Sequence, residues 1–351
     1  MSEKNNLEIL HINLASGWRG GENQTYLLIE ALSKKGHKQT VICKKKSSLR
    51  EAVNSLENVV CIPPLSYFQP SLFKDIQIIH AHEARATYLA FFIHLIQNIP
   101  YIITRRMDKP PKKRPLTKLV YSNAAALVGI SRAASKAIAK HSQAQTPIII
   151  PSSHSGKEPD FSESKFLRSK LLGEKKYLIG HAGALIDKHK GQSILIEAKR
   201  ILENKGFELS LIFLGKGPDE ETLKSSAEHD TSIHFLGHVP DITNHIRALD
   251  IFVFPSREEG LGSVLLDVML CKTPIIASNV GGIPDIIIDE ENGVLFEKDN
   301  ASELAEKMEY MLKNSGFRNS VTEKAYYDSQ KYSPTIMADR YENLYIEIAT
   351  S

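Results

Sequence analysis

Two carboxylates, Glu259 and Asp267, stand eight residues apart in the segment PSREEGLGSVLLDVMLCKTPIIASNVGGIPDII. Glu259 falls in a glycine-interrupted turn, a helix is predicted to open near Ser263, and Asp267 lies one turn into it. The amides of Ser263 and Val264 at such a start lack intrahelical acceptors and suit a diphosphate, while the two acids can accept hydrogen bonds from the hydroxyls of a sugar and a ribose. Upstream, GALIDKHKGQSILIEA sets Lys188 and Lys190 before another helix start, where lysine serves as a point charge for phosphate. LGKGPDEE, with Gly215 and Gly217, puts a flexible turn between a strand end and an acidic helix start.

The first half offers a second set of groups. In SGWRGGENQ the pair Gly20 and Gly21 precedes a helical pattern, and two residues without side chains let the backbone approach a phosphate or sugar. A plain turn has the same appearance. In His80-Ala81-His82-Glu83 strand alternation puts both histidines on one face, where His82, past the strand end, either faces a cleft or is a satisfied structural group. Arg105 and Arg106 follow another strand and open RRMDKPPKKRPLTK, a basic segment whose prolines predict a loop through Lys118.

These residues need strands to carry them, and short β-branched runs do recur between amphipathic stretches. Strands are predicted at 8–15, 39–43, 59–62, 76–81, 101–104, 127–130 and 148–150, with helices at 23–35, 84–97 and 132–141. After the polar stretch SSHSGKEPDFSES the alternation restarts, with strands at 177–181, 209–214, 233–236, 251–254, 274–277 and 294–296 and helices from about Gln192, Asp219, Ser263 and Ser302. Alternation of this kind implies two parallel sheets covered by helices. Ligands then bind outside the carboxyl ends of the strands, where the residues above stand. Ser333-Pro334 opens a last helix, predicted to pack across the domain junction.

At 351 residues, 42% hydrophobic and 24% charged, the chain has the composition of an ordinary globular protein. Cys43, Cys61 and Cys271 lack the spacing of a disulfide framework or a zinc site. No signal peptide is read at the start, and the greasiest stretch, 88–103, is too broken to span a bilayer. The net charge of +3 hides an asymmetry. Residues 1–155 hold 21 Lys and Arg against 9 Asp and Glu (+12), and the rest 23 against 32 (−9), so the first half is suited to an anionic partner or simply varies in surface charge.

The combination of GGEN, HAHE, KGQSILIEA, LGKGP and the 255–285 block resembles the retaining nucleotide-sugar glycosyltransferases of family 4 over nearly the whole chain. The resemblance implies the α/β GT-B fold, two Rossmann-like domains facing a central cleft. An acceptor-binding domain would cover 1–155, a nucleotide-sugar-binding domain 156–332, and the helix at 333–351 would cross the junction. It implies that Glu259 holds donor-sugar hydroxyls, Asp267 the ribose and Lys190 the diphosphate, with Gly262, Ser263 and Val264 also on the donor side and His82 beside the reacting sugar. No metal or other cofactor is expected, and no Asp-x-Asp site is present.

Three positions depart from the family pattern: Asp267 is shorter by a methylene, Ala184 replaces an arginine of the diphosphate clamp, and Ser152-Ser153 replaces an Asn-Gly. Lys188, Arg105 or Arg106 would supply the missing charge. The expected partners are a nucleotide-sugar donor, a glycan or glycolipid acceptor, lipopolysaccharide-type acceptors included, and an anionic membrane surface, without nucleic acid. The expected location is the cytoplasm, peripheral on the inner membrane face. An epimerase or hydrolase of sugar nucleotides, or a binding-only relative, is the alternative on the same fold.

Overall fold

The computed structural model describes residues 6–139, 146–227 and 230–350. The chain divides into two compact units, one formed by Met1–Ser153 with Tyr332–Ser351 and the other by His154–Lys331.

The first unit runs β1 (Glu8–Ile12), α1 (Gly20–Lys34), β2 (Lys38–Ile42), α2 (Ser48–Val53), β3 (Val59–Ile62), β4 (Ile78–Ala81), α3 (Ala84–Gln97), β5 (Tyr101–Arg105), α4 (Pro115–Ser122), β6 (Ala126–Gly129), α5 (Arg132–Ala139) and β7 (Ile148–Ile149). Its strands form one parallel sheet in the order β3-β2-β1-β4-β5-β6-β7. Leu10, Ile12, Ile79 and Ile103 pack on one face, and Ile9, Ile78 and Ile102 on the other against Leu27 and Leu28 of α1. The helix expected to end at His141 runs into 140–145, which lie outside the described residues.

The second unit runs α6 (Phe161–Leu172), β8 (Tyr177–Ala182), α7 (Asp187–Lys190), α8 (Gln192–Asn204), β9 (Leu209–Leu214), α9 (Glu220–Ser226), β10 (Ile233–Gly237), α10 (Thr243–Arg247), β11 (Ile251–Phe254), α11 (Val264–Leu270), β12 (Ile275–Ser278), β13 (Val294–Phe296), α12 (Ala301–Lys313) and α13 (Ser315–Ser329). The sheet is again parallel, β10-β9-β8-β11-β12-β13.

The last helix, α14 (Pro334–Ala349), belongs to the first unit. Its N-cap Ser333 accepts from the Ile336 amide, and its buried face of Met337, Ala338, Tyr341, Leu344 and Tyr345 joins the core beneath α1. An ion pair from Lys35 and a 2.8 Å hydrogen bond from His37 Nε2, both to Glu342, hold its outer side to the chain after α1.

The basic segment departs from the reading as a loop up to Lys118. Arg105 completes β5, and α4 begins at Pro115, because proline at the first helical position gives up an amide that would be unpaired there anyway. Only 106–114 connects the two.

Candidate functional site

In an open parallel sheet the ligand crevice forms where strand order reverses. In the first unit that point lies between β1 and β4. Their register sets His11 opposite His80 and Ile12 opposite Ala81, and the His82 amide donates to the Ile12 carbonyl at 3.1 Å. The imidazoles of His80 and His82 lie on one face with centroids 3.8 Å apart, and His11 stacks 5.2 Å from His82.

These rings are joined by hydrogen bonds. His11 Nδ1 meets His82 Nε2 at 2.9 Å, His11 Nε2 meets Gln39 Oε1 at 3.0 Å, and Arg106 Nη2 donates to His82 Nδ1 at 3.3 Å. His80 is held by the Tyr345 hydroxyl at 2.6 Å and Thr104 at 2.7 Å. His82 is only 3% exposed, so it does not stand open at the strand end. Burial pushes all three imidazoles below their ordinary 6.5, His11 to about 3, and the neighbouring rings and Arg106 push the same way on His80 and His82. One nitrogen from each ring lies within 4.8 Å of the others, close enough for a metal ion, yet every ring nitrogen of the three already has a hydrogen-bond partner.

Gly20 and Gly21 open α1 beside this cluster, where a Cβ on Gly21 would sit 3.6 Å from Arg106 Cδ. Arg105 and Arg106 part on leaving β5. Successive residues leaving a strand point oppositely, so Arg106 turns to His82 while the Arg105 guanidinium folds back onto the Lys109 carbonyl. The Nε of each is buried without a partner.

In the second unit the reversal lies between β8 and β11. Lys190, closing α7 after β8, ion-pairs with Glu259 from the turn after β11, and its ammonium lies 5.0 Å above the Phe254 ring. Glycines shape both turns. Gly191 (φ +63°) lies where a Cβ would run into the Pro255 carbonyl, and Gly281 (φ +55°) where it would run into that of Glu259. The same Glu259 carbonyl accepts from the Gly282 amide at 3.1 Å.

Lys188 does not share the Lys190–Glu259 ion pair. Two residues from Lys190 in a helical turn, it is rotated by about 200° and is exposed away from the pair. Ser263 and Val264 stand at the start of α11, ahead of the bond from Leu265 N–H to the Gly262 carbonyl. Asp267 is already engaged, its Oδ1 accepting from the Ser155 amide at 2.6 Å, and burial raises its carboxyl to about 6 despite that bond.

Ala184 is exposed, and a charge that sequence reading did not single out, Arg257, is held by Asp187, three residues further along, and by Asp299. Gln39 and His11 were also missed. Alternation along β1 and β2 would have shown them as polar residues on inner strands, but their pairing depends on which strands are neighbours. Ser153 takes part in a two-bond clamp, its amide donating to Gln24 Oε1 at 2.9 Å and its carbonyl accepting from Gln24 Nε2 at 2.7 Å.

Residues 162–328 match the family described as Glycosyl transferases group 1. Among curated proteins the chain is 27% identical over 181 residues to the capsular polysaccharide biosynthesis glycosyltransferase CapM of Staphylococcus aureus, covering 50% of this chain and 47% of that protein. It is 30% identical over 159 residues to the N,N'-diacetylbacillosaminyl-diphospho-undecaprenol alpha-1,3-N-acetylgalactosaminyltransferase of Campylobacter jejuni, 45% of this chain and 41% of that one. The matches thus span less than half the length of these relatives. Among solved structures, Anabaena Alr3699/HepE in complex with UDP and glucose superimposes with a TM-score of 0.86 over 97% of this chain and 100% of that one, at 17% identity. The likeness at that identity is one of fold, two Rossmann-like domains of the GT-B type. The second unit of the chain therefore carries a glycosyl transferases group 1 domain.

Proposed function

We propose that the protein transfers a sugar, with retention of anomeric configuration, from a nucleotide-diphosphate sugar to a glycan or glycolipid acceptor. The observation that carries this reading is the Lys190–Glu259 ion pair at the strand reversal of the group 1 domain. Such a pair has the two halves of a phosphorylated sugar's complement. An incoming diphosphate replaces Glu259 as the partner of Lys190, and the freed carboxylate accepts from sugar hydroxyls.

As the bond from the anomeric carbon to the diphosphate oxygen breaks, charge gathers on the leaving group. Lys190 and the amides at Ser263 and Val264 take up that charge from fixed positions, and an acceptor hydroxyl adds to the anomeric carbon while passing its proton to the departing diphosphate oxygen. Asp267 holds the ribose, exchanging the Ser155 amide for a hydroxyl donor. His82, its ring nitrogens taken by His11 and Arg106, acts within the first unit by holding the Arg106 guanidinium beside Gly21. In this reading no metal is required, so a chelator leaves turnover unchanged.

Unit 1 would take the acceptor. Its α3 and α4 expose Phe92, Leu95, Ile96, Leu116 and Leu119, and the exposed Lys112, Lys113, Arg114 and Lys118 lie in or next to α4. Apolar area bordered by cations suits an anionic bilayer surface and an acceptor of lipopolysaccharide type embedded in it. No helix among the described residues is long and apolar enough to cross a membrane. The relative from Campylobacter jejuni is itself named for a diphospho-undecaprenol.

The test is incubation with a panel of sugar nucleotides, with and without bacterial lipid extract, following free nucleotide by chromatography and the product anomer by NMR. Nucleotide release that depends on the extract, with the anomer retained, is the expected result. Equal release without acceptor would make the protein a hydrolase, and an inverted product would remove the retaining mechanism.

A further inference from the structure

The hydrogen bonds around His82 leave no freedom in where its protons lie. Gln39 Nε2 donates to the Ile29 carbonyl at 3.0 Å, so the amide is oriented and Oε1 is the atom facing His11. Since Oε1 only accepts, the proton of His11 sits on Nε2, and its Nδ1 is a bare acceptor. His82 Nε2, 2.9 Å from that acceptor, must therefore carry the His82 proton. His82 Nδ1 is left bare and accepts from Arg106, which can only donate. Gln39 and His11 are 2% and 0% exposed, so water does not compete for these bonds.

We propose that Gln39 and His11 are positioning residues that fix the Nε2–H tautomer of His82 and, through its Nδ1, hold the Arg106 guanidinium beside Gly21. The row crosses the strand reversal along neighbouring strands: Arg106 after β5, His82 after β4, His11 on β1 and Gln39 on β2. A flipped His82 would present N–H to Arg106, two donors facing each other, and would release the guanidinium. The geometry also explains why the His11 and His82 imidazoles stay put, because each proton between Gln39 and Arg106 has one acceptor.

The tautomer claim is independent of the proposed transfer, whereas its effect on turnover rests on that reading. The test uses the full chain with 15N-labelled histidine side chains. Nitrogen–proton correlation spectra at pH 6 to 8 are expected to show His11 and His82 both protonated at Nε2 and bare at Nδ1. A His82 protonated at Nδ1, or charged at pH 6, would overturn the proposal without need of any variant.

Gln39→Met removes the orienting acceptor, and His82 should then populate both tautomers, while Gln39→Glu, which keeps an acceptor toward His11, restores the single form. His82 signals unchanged in a folded Gln39→Met protein would also overturn it; if that variant does not fold, the wild-type spectra decide. With whichever sugar nucleotide the wild type turns over, Gln39→Met should lower kcat about tenfold and leave the donor KM within twofold, with recovery in Gln39→Glu. An unchanged kcat would remove the link to turnover, and a wild type that turns over no sugar nucleotide would fail the transfer reading while the spectra still judge the tautomer.

Discussion

Lys190 and Glu259, 69 residues apart in the chain, neutralise each other at the strand reversal of the second unit. Each is the group that keeps the other from standing as a lone, partly buried charge. Removing one partner therefore changes the other as well as the site.

Glu259→Gln should lower transfer by roughly 10²- to 10³-fold, the loss expected for one oriented charged hydrogen bond in a transition state. Nucleoside diphosphate binding should hold or tighten, since Lys190 no longer has to leave a carboxylate. Lys190→Ala should weaken the diphosphate and spare the nucleoside. Calorimetry with UDP and uridine checks both, and equal losses for the two ligands would mean that neither residue meets the phosphates.

Two buried groups, one in each unit, should contribute to stability with opposite dependence on pH. In the first, His11 titrates at about 3 when folded against an ordinary 6.5, so the unfolded chain binds protons that the native state refuses, and stability is lost as pH falls from 6.5 toward 3. In the second, Asp267 titrates at about 6 against an ordinary 3.8. Its contribution is fully present below 3.8 and is lost as pH rises through 6. Amide-exchange protection measured between pH 4.5 and 7.5 should thus fall toward acid in the first unit, and in the second Asp267→Asn should cancel the part that rises toward acid. Parallel behaviour of both units, untouched by Asp267→Asn, would refute this.

Gly281→Ala should destabilise the protein by about 1–3 kcal/mol, because the positive φ and the Glu259 carbonyl both exclude a side chain. Activity should drop further than stability accounts for, as the Glu259 turn must shift. Gly316, helical and with open space where a Cβ would be, is the control: Gly316→Ala should leave the urea midpoint equal or slightly higher. Matching midpoints for the two variants would contradict the close approach at Gly281.

Vesicles containing anionic lipid should carry the protein upward in a density gradient at low salt and release it at high salt. Changing Lys112, Lys113 and Arg114 to glutamine removes roughly 1 kcal/mol per residue, about 3 kcal/mol or 10²-fold in binding. Leu116→Ser with Leu119→Ser should weaken binding with little change in salt dependence. Equal flotation with neutral vesicles would favour a soluble acceptor.

Much of this arrangement can be read from the residues alone. Strand runs such as Leu209–Leu214 and Ile251–Phe254 are bounded as their β-branched and aromatic residues predict, since an inner parallel strand is apolar on both faces. Helix α6 was hidden in a polar stretch because Phe161 and Phe166 are exposed, so its apolar residues do not trace a face. The Lys190–Glu259 pair needed the knowledge that β8 and β11 are neighbours, which spacing does not carry. Arg105 and Arg106 look equivalent as letters, and only the pleat tells them apart.

The path of the backbone has a consequence for biosynthesis. The chain leaves the first unit at Ser153 and returns at Tyr332, so the second unit is an insertion within the first. A nascent chain that has emerged to residue 331 holds every strand of both sheets and the whole of the second unit, but not Tyr341 and Tyr345. Those two rings close the side of the first sheet that bears His80, and Tyr345 supplies one of its hydrogen bonds. Domains fold largely as units while synthesis proceeds, so the first unit is completed only after the whole of the second has been made, and His80 lacks its Tyr345 bond until α14 emerges.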